Sequence, residues 1–483
     1  MWYPVLNDFI KNRIQQNLPF VVNEGQDVLL DKIAQFITSP SHRKAFILRG
    51  YAGTGKTSIM AALVQALRQL QQRIVLLAPT GRAAKVLSHY AHTGAYTIHK
   101  YIYRQKQLGE EVFSLNDNLH ANTLFIVDEA SMISGKRDNH NFGSGMLLDD
   151  LVKFVYSAPG CSLFLLGDDA QLPPVGSLKS PALNEDYMAG YQLDITSYVL
   201  VQVARQALDS GILDNANKLR PLALGQQSFF GQRVEEDMWQ LLHLTHDVSI
   251  VNGTTLQEEL ERSYNQVGED DTILLTRTNR RTNIYNQGIR TRILWREEEI
   301  ATGDRLMISK NNYFWTEKYE NLPFLANGDM LEIVRLRNMR EMYGYHFVDA
   351  QLKALDYDWE IDAVVWLDTM NSDGPEANAQ MHKDLFYKVA EDFTDLARNR
   401  KKLVEAIYSS PYYNALQVRM AYAITGHKSQ GGQWSRVFID PYKGGDNTVA
   451  QTPEQQQEFY RWLYTAITRA KEKVYILKNE IPD

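Results

Sequence analysis

Apolar residues in the first two hundred positions gather in four short unbroken runs: Phe46-Ile47-Leu48, Ile74-Val75-Leu76-Leu77, Leu124-Phe125-Ile126-Val127 and Leu163-Phe164-Leu165-Leu166. Between them the pattern changes to a helical one, as where Ile59, Met60, Leu63, Val64 and Leu67 recur at three- and four-residue steps. Strands without a polar alternate are buried on both faces; alternating with amphipathic helices, they predict a parallel sheet in a doubly wound α/β domain. Such sheets bind their ligands at the carboxyl ends of the strands, and the conspicuous polar motifs of this chain follow the runs directly. A second set, Ile273-Leu274-Leu275, Val437-Phe438-Ile439 and Val474-Tyr475-Ile476, predicts a second α/β domain with an insertion near 299–415. The first part of that insertion carries short strands with turn signals, in Gly303 to Ile308 and Asn327 to Ile333, which suggest a small barrel. From about Asp384 the residues Leu385, Val389, Phe393, Leu396, Leu403 and Ile407 fall on one helix face, until Ser410-Pro411 stops it. A smaller insertion, Tyr101 to Asn118, reads as a hairpin around Leu108-Gly109-Glu110. The expected division is residues 1–199 for the first domain, with its hairpin at about 97–121. Residues 200–298 with 416–483 make the second, and 299–415 the insertion.

Length agrees, since 483 residues amount to roughly three domains of ordinary size. With 44% hydrophobic and 23% charged residues the chain is globular rather than disordered or fibrous. A net charge of −7 excludes a wholesale basic coat for nucleic acid, though a basic channel can sit on an acidic protein. The single cysteine excludes an internal disulfide framework and a cysteine-based zinc site. Residues 1–16 are broken by charges and amides and lack the apolar core of a leader, and no run approaches the ~20 residues of a membrane span. The expectation is a cytoplasmic protein without a membrane partner. His89/His92 and His243/His246 stand three residues apart without further ligands, so they are read as structural rather than metal-binding.

The segment Gly50-Tyr51-Ala52-Gly53-Thr54-Gly55-Lys56-Thr57 matches G-x-x-x-x-G-K-[ST] in full, after an apolar strand and at the start of a helix. Its glycines let backbone N–H groups curl around phosphates, and the helix N-terminus adds a favourable dipole. Lys56 is expected to reach the β- and γ-phosphates and Thr57 to offer its hydroxyl to Mg²⁺. Asp128-Glu129 closes the third apolar run: Asp128 is the expected Mg²⁺ partner and Glu129 the base that polarises the attacking water. ATP and Mg²⁺ are therefore the expected cofactors, with Gly50, Ala52, Gly53, Thr54 and Gly55 lining the phosphate site. Gln171, in Gly167 to Gly176, is placed either to bond a γ-phosphate or water, or simply in a turn.

Read in order, the chain holds this phosphate loop, Ala78-Pro79-Thr80-Gly81-Arg82-Ala83-Ala84, Asp128-Glu129-Ala130-Ser131 and Gly167 to Gly176. Ala204-Arg205-Gln206, Thr425 to Gly431 and Tyr464-Thr465-Ala466-Ile467-Thr468-Arg469-Ala470 follow. The series resembles the ordered motifs of superfamily 1 helicases, in the RecD/Dda-like group that translocates 5′→3′ on DNA. The resemblance covers nearly the whole chain. It implies two RecA-like motor domains with an ATP cleft between them, an SH3-like barrel plus helical segment inserted in the second, and single-stranded DNA and duplex junctions as partners. By the same resemblance Gln26 is the adenine-reading glutamine and Gln171 the γ-phosphate sensor. Arg205 and Arg469 are then the arginines that reach the phosphates across the cleft. An arginine from the opposite domain stabilises the transition state and makes hydrolysis depend on closure. Gln433 stands where many relatives have glutamate, and it is left out of the nucleotide site.

The resemblance further implies that Pro79, Thr80, Gly81, Thr97 and His99 grip the strand in the first domain, and Thr425, His427 and Lys428 in the second. The hairpin aromatics Tyr101, Tyr103 and Phe113 are read either as a strand-splitting pin, with Phe113 stacking on a base, or as domain packing. Trp315, Tyr319 and Tyr343 belong either to the barrel core or to a DNA surface. The expected activity is ATP-dependent separation of duplex DNA. Two other readings stay open: an RNA-acting relative, and a nucleic-acid-stimulated ATPase switch that remodels a partner without unwinding.

Overall fold

The computed structural model describes residues 3–478 apart from 106–112, 138–141, 204–209, 228–233, 317–318, 320–321, 323, 373, 397 and 443–451. The first domain contains β1 (Lys44–Gly50), β2 (Arg73–Ala78), β3 (Ala95–Thr97), β4 (Tyr103–Gln105), β5 (Phe113–Leu115), β6 (Thr123–Val127), β7 (Ser162–Gly167) and β8 (Asp194–Leu200). Six of them form a wholly parallel sheet in the order β3-β2-β6-β7-β1-β8. The four apolar runs are its inner strands. Alternate residues serve opposite faces: Phe46 and Leu48 pack with the helices Glu24–Thr38 and Lys56–Gln69, while Ala45 and Ile47 face the other layer. Phe46 and Phe164 are register partners on β1 and β7, their rings stacked 4.6 Å apart. Burying each such side chain stabilises the fold by roughly 1.5–3 kcal/mol.

β4 and β5 pair antiparallel, Tyr103 opposite Leu115 and Gln105 opposite Phe113, as the hairpin pattern anticipates. The turn at Leu108-Gly109-Glu110 lies outside the described residues.

The chain then lays down β9 (Val248–Val251) and β10 (Thr272–Thr276) before leaving the second sheet. It builds β11 (Arg305–Ile308), β12 (Met330–Met342), β13 (Tyr345–Ala354), β14 (Glu360–Trp366) and β15 (Leu416–Met420), which close into a five-stranded barrel. It returns as β16 (Ala423–Thr425), β17 (Trp434–Ile439) and β18 (Ala470–Leu477), giving a second parallel sheet ordered β16-β10-β17-β18-β9. The barrel therefore runs to Met420: β15 pairs with β11 and β14, five residues beyond the boundary expected from the pattern.

Between β14 and β15 the expected single helix is instead two, Pro375–Ala390 and Arg400–Tyr408, with a kink at Phe393. Leu385, Val389 and Ile407 pack on Phe347, Val364 and Trp366, so this segment covers the outside of the barrel. Trp315 belongs to that packing, its indole Nε1 donating to the Asn414 carbonyl at 2.8 Å. Tyr343 bonds Asp392, and Tyr319 is exposed. Among the described residues no helix is long and apolar enough to cross a membrane.

Candidate active site and nucleic-acid track

The strand-to-helix turn after β1 lies at the cleft between the two sheets. Gly55, with φ +88°, precedes the helix Lys56–Gln69 and leaves its first amides without any side-chain cap. A left-handed residue here needs glycine, and a Cβ would also press on the Gln26 side chain. Uncapped amides at a helix start are an anion site. The Lys56 ammonium folds over the loop, donating to the Gly50 carbonyl and to that of Tyr51 at 3.0 Å, and stands 3.9 Å from the Asp168 carboxylate. Thr57 is exposed in the helix's first turn.

Gln26 is buried behind this loop. It sits third in the helix Glu24–Thr38, where its Oε1 accepts from the Asn23 amide while the Asn23 side chain caps Gln26. Its Nε2 donates to the Thr54 carbonyl at 3.0 Å. Both ends of the amide are engaged, so Gln26 as placed braces the phosphate loop.

Asp128 directly follows β6 and accepts from the Glu129 amide at 2.8 Å. Burial and the Glu129 charge push its carboxyl up to about 6, opposed by Lys56 and Arg469. Glu129 itself adopts φ +50°. Across the cleft, Arg469 is 3% exposed and held by the carbonyls of Thr465 and Gly432; its guanidinium lies 3.8 Å from the Glu129 carboxylate. The two residues, predicted as base and trans arginine, are thus brought together from different domains. Gln171 is buried and its side-chain carbonyl oxygen has no hydrogen-bond partner. Arg205 lies outside the described residues.

The loop after β7 is stitched to the second domain. Thr465 Oγ1 accepts from the Leu172 amide at 2.9 Å, Gln430 Nε2 donates to the Leu172 carbonyl at 2.6 Å, and Arg461 donates to the Leu178 carbonyl. Tyr464 bridges the P-loop and Asp168: its hydroxyl accepts from the Ala52 amide at 3.0 Å and donates to Asp168 at 2.7 Å. Sequence reasoning singled out Arg469 but missed Tyr464 and Thr465. The signal for Tyr464 is a phenol inside a buried helical stretch, whose hydroxyl must find a partner.

The strand-gripping candidates lie at carboxyl ends of parallel strands, but several are already engaged. Pro79 follows β2 directly, and Thr80 caps the helix Gly81–Ala91 by accepting from the Ala83 amide. Thr97 is buried and caps the helix Ile98–Ile102. Gly81 is covered by the Tyr357 ring of the barrel, where a Cβ would meet the hydroxyl. Thr425 ends β16 opposite Thr276. Lys428 donates to Asn327 on the barrel at 2.6 Å, and burial holds the His427 imidazole below its ordinary range. The two domains meet here: a side chain at Gly431 would run into Ala83 and Thr80.

Phe113 corrects the expectation of a base-stacking ring. It is 2% exposed, packed among Phe142 at 4.8 Å, Tyr313 at 4.8 Å and Phe324 at 5.8 Å. His99 lies at the edge of the same cluster, 5.1 Å from Phe142. Tyr103 donates to Asp150 at 2.7 Å, and Tyr101 pairs with His120. The hairpin's described aromatics therefore anchor it to the domain and to the insertion. Among the described residues no group of three or more His, Cys, Asp or Glu forms a metal cluster.

Residues 22–221 match the family model described as an AAA domain, and 420–477 that of a UvrD-like helicase C-terminal domain. The chain is 24% identical to an uncharacterised protein of Acanthamoeba polyphaga mimivirus, over 94% of this chain and 99% of that one. It is 25% identical to the ATP-dependent DNA helicase Pif1 of a Psychrobacter species, over 82% of this chain and 62% of the relative. Identity to the ATP-dependent DNA helicase Dda of Enterobacteria phage T4 is 25%, over 65% of this chain and 67% of the relative. The AAA-domain match thus falls on the first parallel sheet and the UvrD-like helicase C-terminal match on the end of the second, and over most of its length the chain is similar to ATP-dependent DNA helicases.

Proposed function

We propose that the chain is an ATP-dependent DNA helicase that moves 5′→3′ on single-stranded DNA and separates duplex at junctions. The observation that carries this reading is the approach of Arg469 to Glu129 across the cleft, beside a helix start left open for phosphate. Lys56 neutralises the terminal phosphates, Glu129 takes the proton of the attacking water, and Gln171 orients that water through its unpartnered carbonyl oxygen. Arg469, with Arg205, stabilises charge that develops as the γ-phosphate leaves, so hydrolysis needs the two domains closed. A Mg²⁺ ion bound with ATP supplies charge neutralisation at the phosphates, and Thr57 and Asp128 are the residues that would hold it.

Each domain grips the strand through groups that tolerate any sequence. Pro79, Thr80 and His99 serve the first domain, and Thr425, His427 and Lys428 the second. The loop after β7 is bonded to the helix Pro453–Ile467, so a change at Gln171 moves the second domain's grip. Directional motion then follows from grips that differ between nucleotide states.

The test is ATP hydrolysis with single-stranded DNA, single-stranded RNA or neither. Hydrolysis stimulated by DNA well above RNA is the expected result. Stimulation by RNA alone would overturn the DNA assignment, and no stimulation by either would overturn the motor reading.

A further inference from the structure

Tyr464 occupies a position that the catalytic scheme leaves unused. Its hydroxyl comes from the second domain, from the helix Pro453–Ile467, and enters the phosphate loop of the first. There it accepts the Ala52 N–H bond at 3.0 Å and donates to the Asp168 carboxylate at 2.7 Å. Asp168 is 1% exposed, is held by the Ala170 amide at 3.0 Å, and lies 3.9 Å from the Lys56 ammonium. Burial and the adjacent Asp168 charge hold the Tyr464 phenol well above its ordinary range, so it stays protonated and able to donate. Ala52 lies within the G-x-x-x-x-G-K-T loop, whose amides are the groups that cradle phosphate oxygens. One N–H proton makes one strong bond, so a phosphate oxygen and the Tyr464 hydroxyl compete for the Ala52 amide.

We propose that Tyr464 is a nucleotide-displaced latch: its hydroxyl ties the second domain to the Ala52 amide and Asp168, and a nucleoside triphosphate takes that amide from it. The inference rests on reading the Gly50–Thr57 loop as the ATP site. Tyr464 is thus a positioning residue that reports occupancy to the helix carrying Thr465 and ending beside Arg469. The neighbouring bonds make the report directional. Thr465 holds Leu172, and Arg469 faces Glu129, so releasing Tyr464 frees the turn that aims the arginine.

The experiment is calorimetric titration of the full chain with adenylyl imidodiphosphate, for wild type, Tyr464→Phe and Lys56→Ala. The phenylalanine keeps the ring and removes only the competing hydroxyl, so affinity should rise about three- to tenfold, the worth of one buried hydrogen bond. KM for ATP should fall with it while DNA-stimulated kcat also falls, whereas a merely loosened fold would raise KM. 3-Fluorotyrosine at position 464 keeps the hydroxyl but weakens it as an acceptor, and should move affinity the same way by a smaller factor. This second variant decides the matter if Tyr464→Phe does not fold. Wild-type binding with unchanged or weaker affinity in the variants overturns the latch alone. Absence of wild-type binding, or binding that Lys56→Ala leaves intact, overturns the ATP-site reading beneath it.

Discussion

Two inner strands of this molecule feed helices of fourteen residues, and the two helix starts are built in opposite ways. After β1 the helix Lys56–Gln69 begins at Gly55, which has no side chain to cap it, and Lys56 folds back over the loop. After β10 the helix Asn279–Arg292 begins at Thr278, whose hydroxyl accepts from the Arg281 amide. The first leaves its amides for an incoming anion; the second satisfies its own within one turn. The difference separates the labour of two otherwise similar parallel sheets. One carries the loop proposed to hold the nucleotide, and the other brings side chains up to it, Arg469 beside Glu129 and Tyr464 at Ala52.

The contrast can be broken most forcefully at Lys56. Lys56→Ala removes the charge that the open helix start was left to complement, and kcat for ATP hydrolysis should fall by about 1000-fold or more in a phosphate-release assay. Hydrolysis within tenfold of wild type would contradict the phosphate-site assignment. Next comes the contribution from the other sheet. Arg469→Ala should lower kcat about 100-fold with little change in KM, since the guanidinium acts on the transition state and Arg205 is read as sharing the load. A change confined to KM would make Arg469 a ground-state binder instead.

A smaller effect is expected from Gly55→Ala, which strains a left-handed residue and crowds Gln26. KM for ATP should rise roughly tenfold, and an unchanged KM would mean that the loop adjusts freely. The smallest belongs to the capped helix. Thr278→Ala should lower stability by about 1 kcal/mol in denaturant melts and leave hydrolysis per folded molecule within about twofold. A larger loss of hydrolysis would show that the second helix start also serves the cleft.

What could be read from the sequence follows from where the physics is local. β1, β2, β6 and β7 are buried on both faces and so appear as unbroken apolar runs. The edge strands β3 and β8 are half exposed, and the pattern passes over them. β15 closes the barrel after a helical excursion from β14, and nothing within Leu416–Met420 itself distinguishes a barrel strand from a sheet strand. The phosphate loop is legible because eight consecutive residues make it. Tyr464 was not, because its partners Ala52 and Asp168 lie about three to four hundred residues away in the chain. Whether Phe113 stacks on a base or packs stayed open in the sequence for the same reason: Tyr313 and Phe324, two of the rings that bury it, come from the insertion in the second domain.

The central claim is that these two sheets form a 5′→3′ DNA motor. ATP-dependent strand separation on duplexes carrying either a 5′ or a 3′ single-stranded tail tests it most directly. The account predicts unwinding from the 5′ tail only, abolished by Lys56→Ala. Unwinding from the 3′ tail only would contradict the polarity, and DNA-stimulated hydrolysis without unwinding of either duplex would contradict the helicase itself.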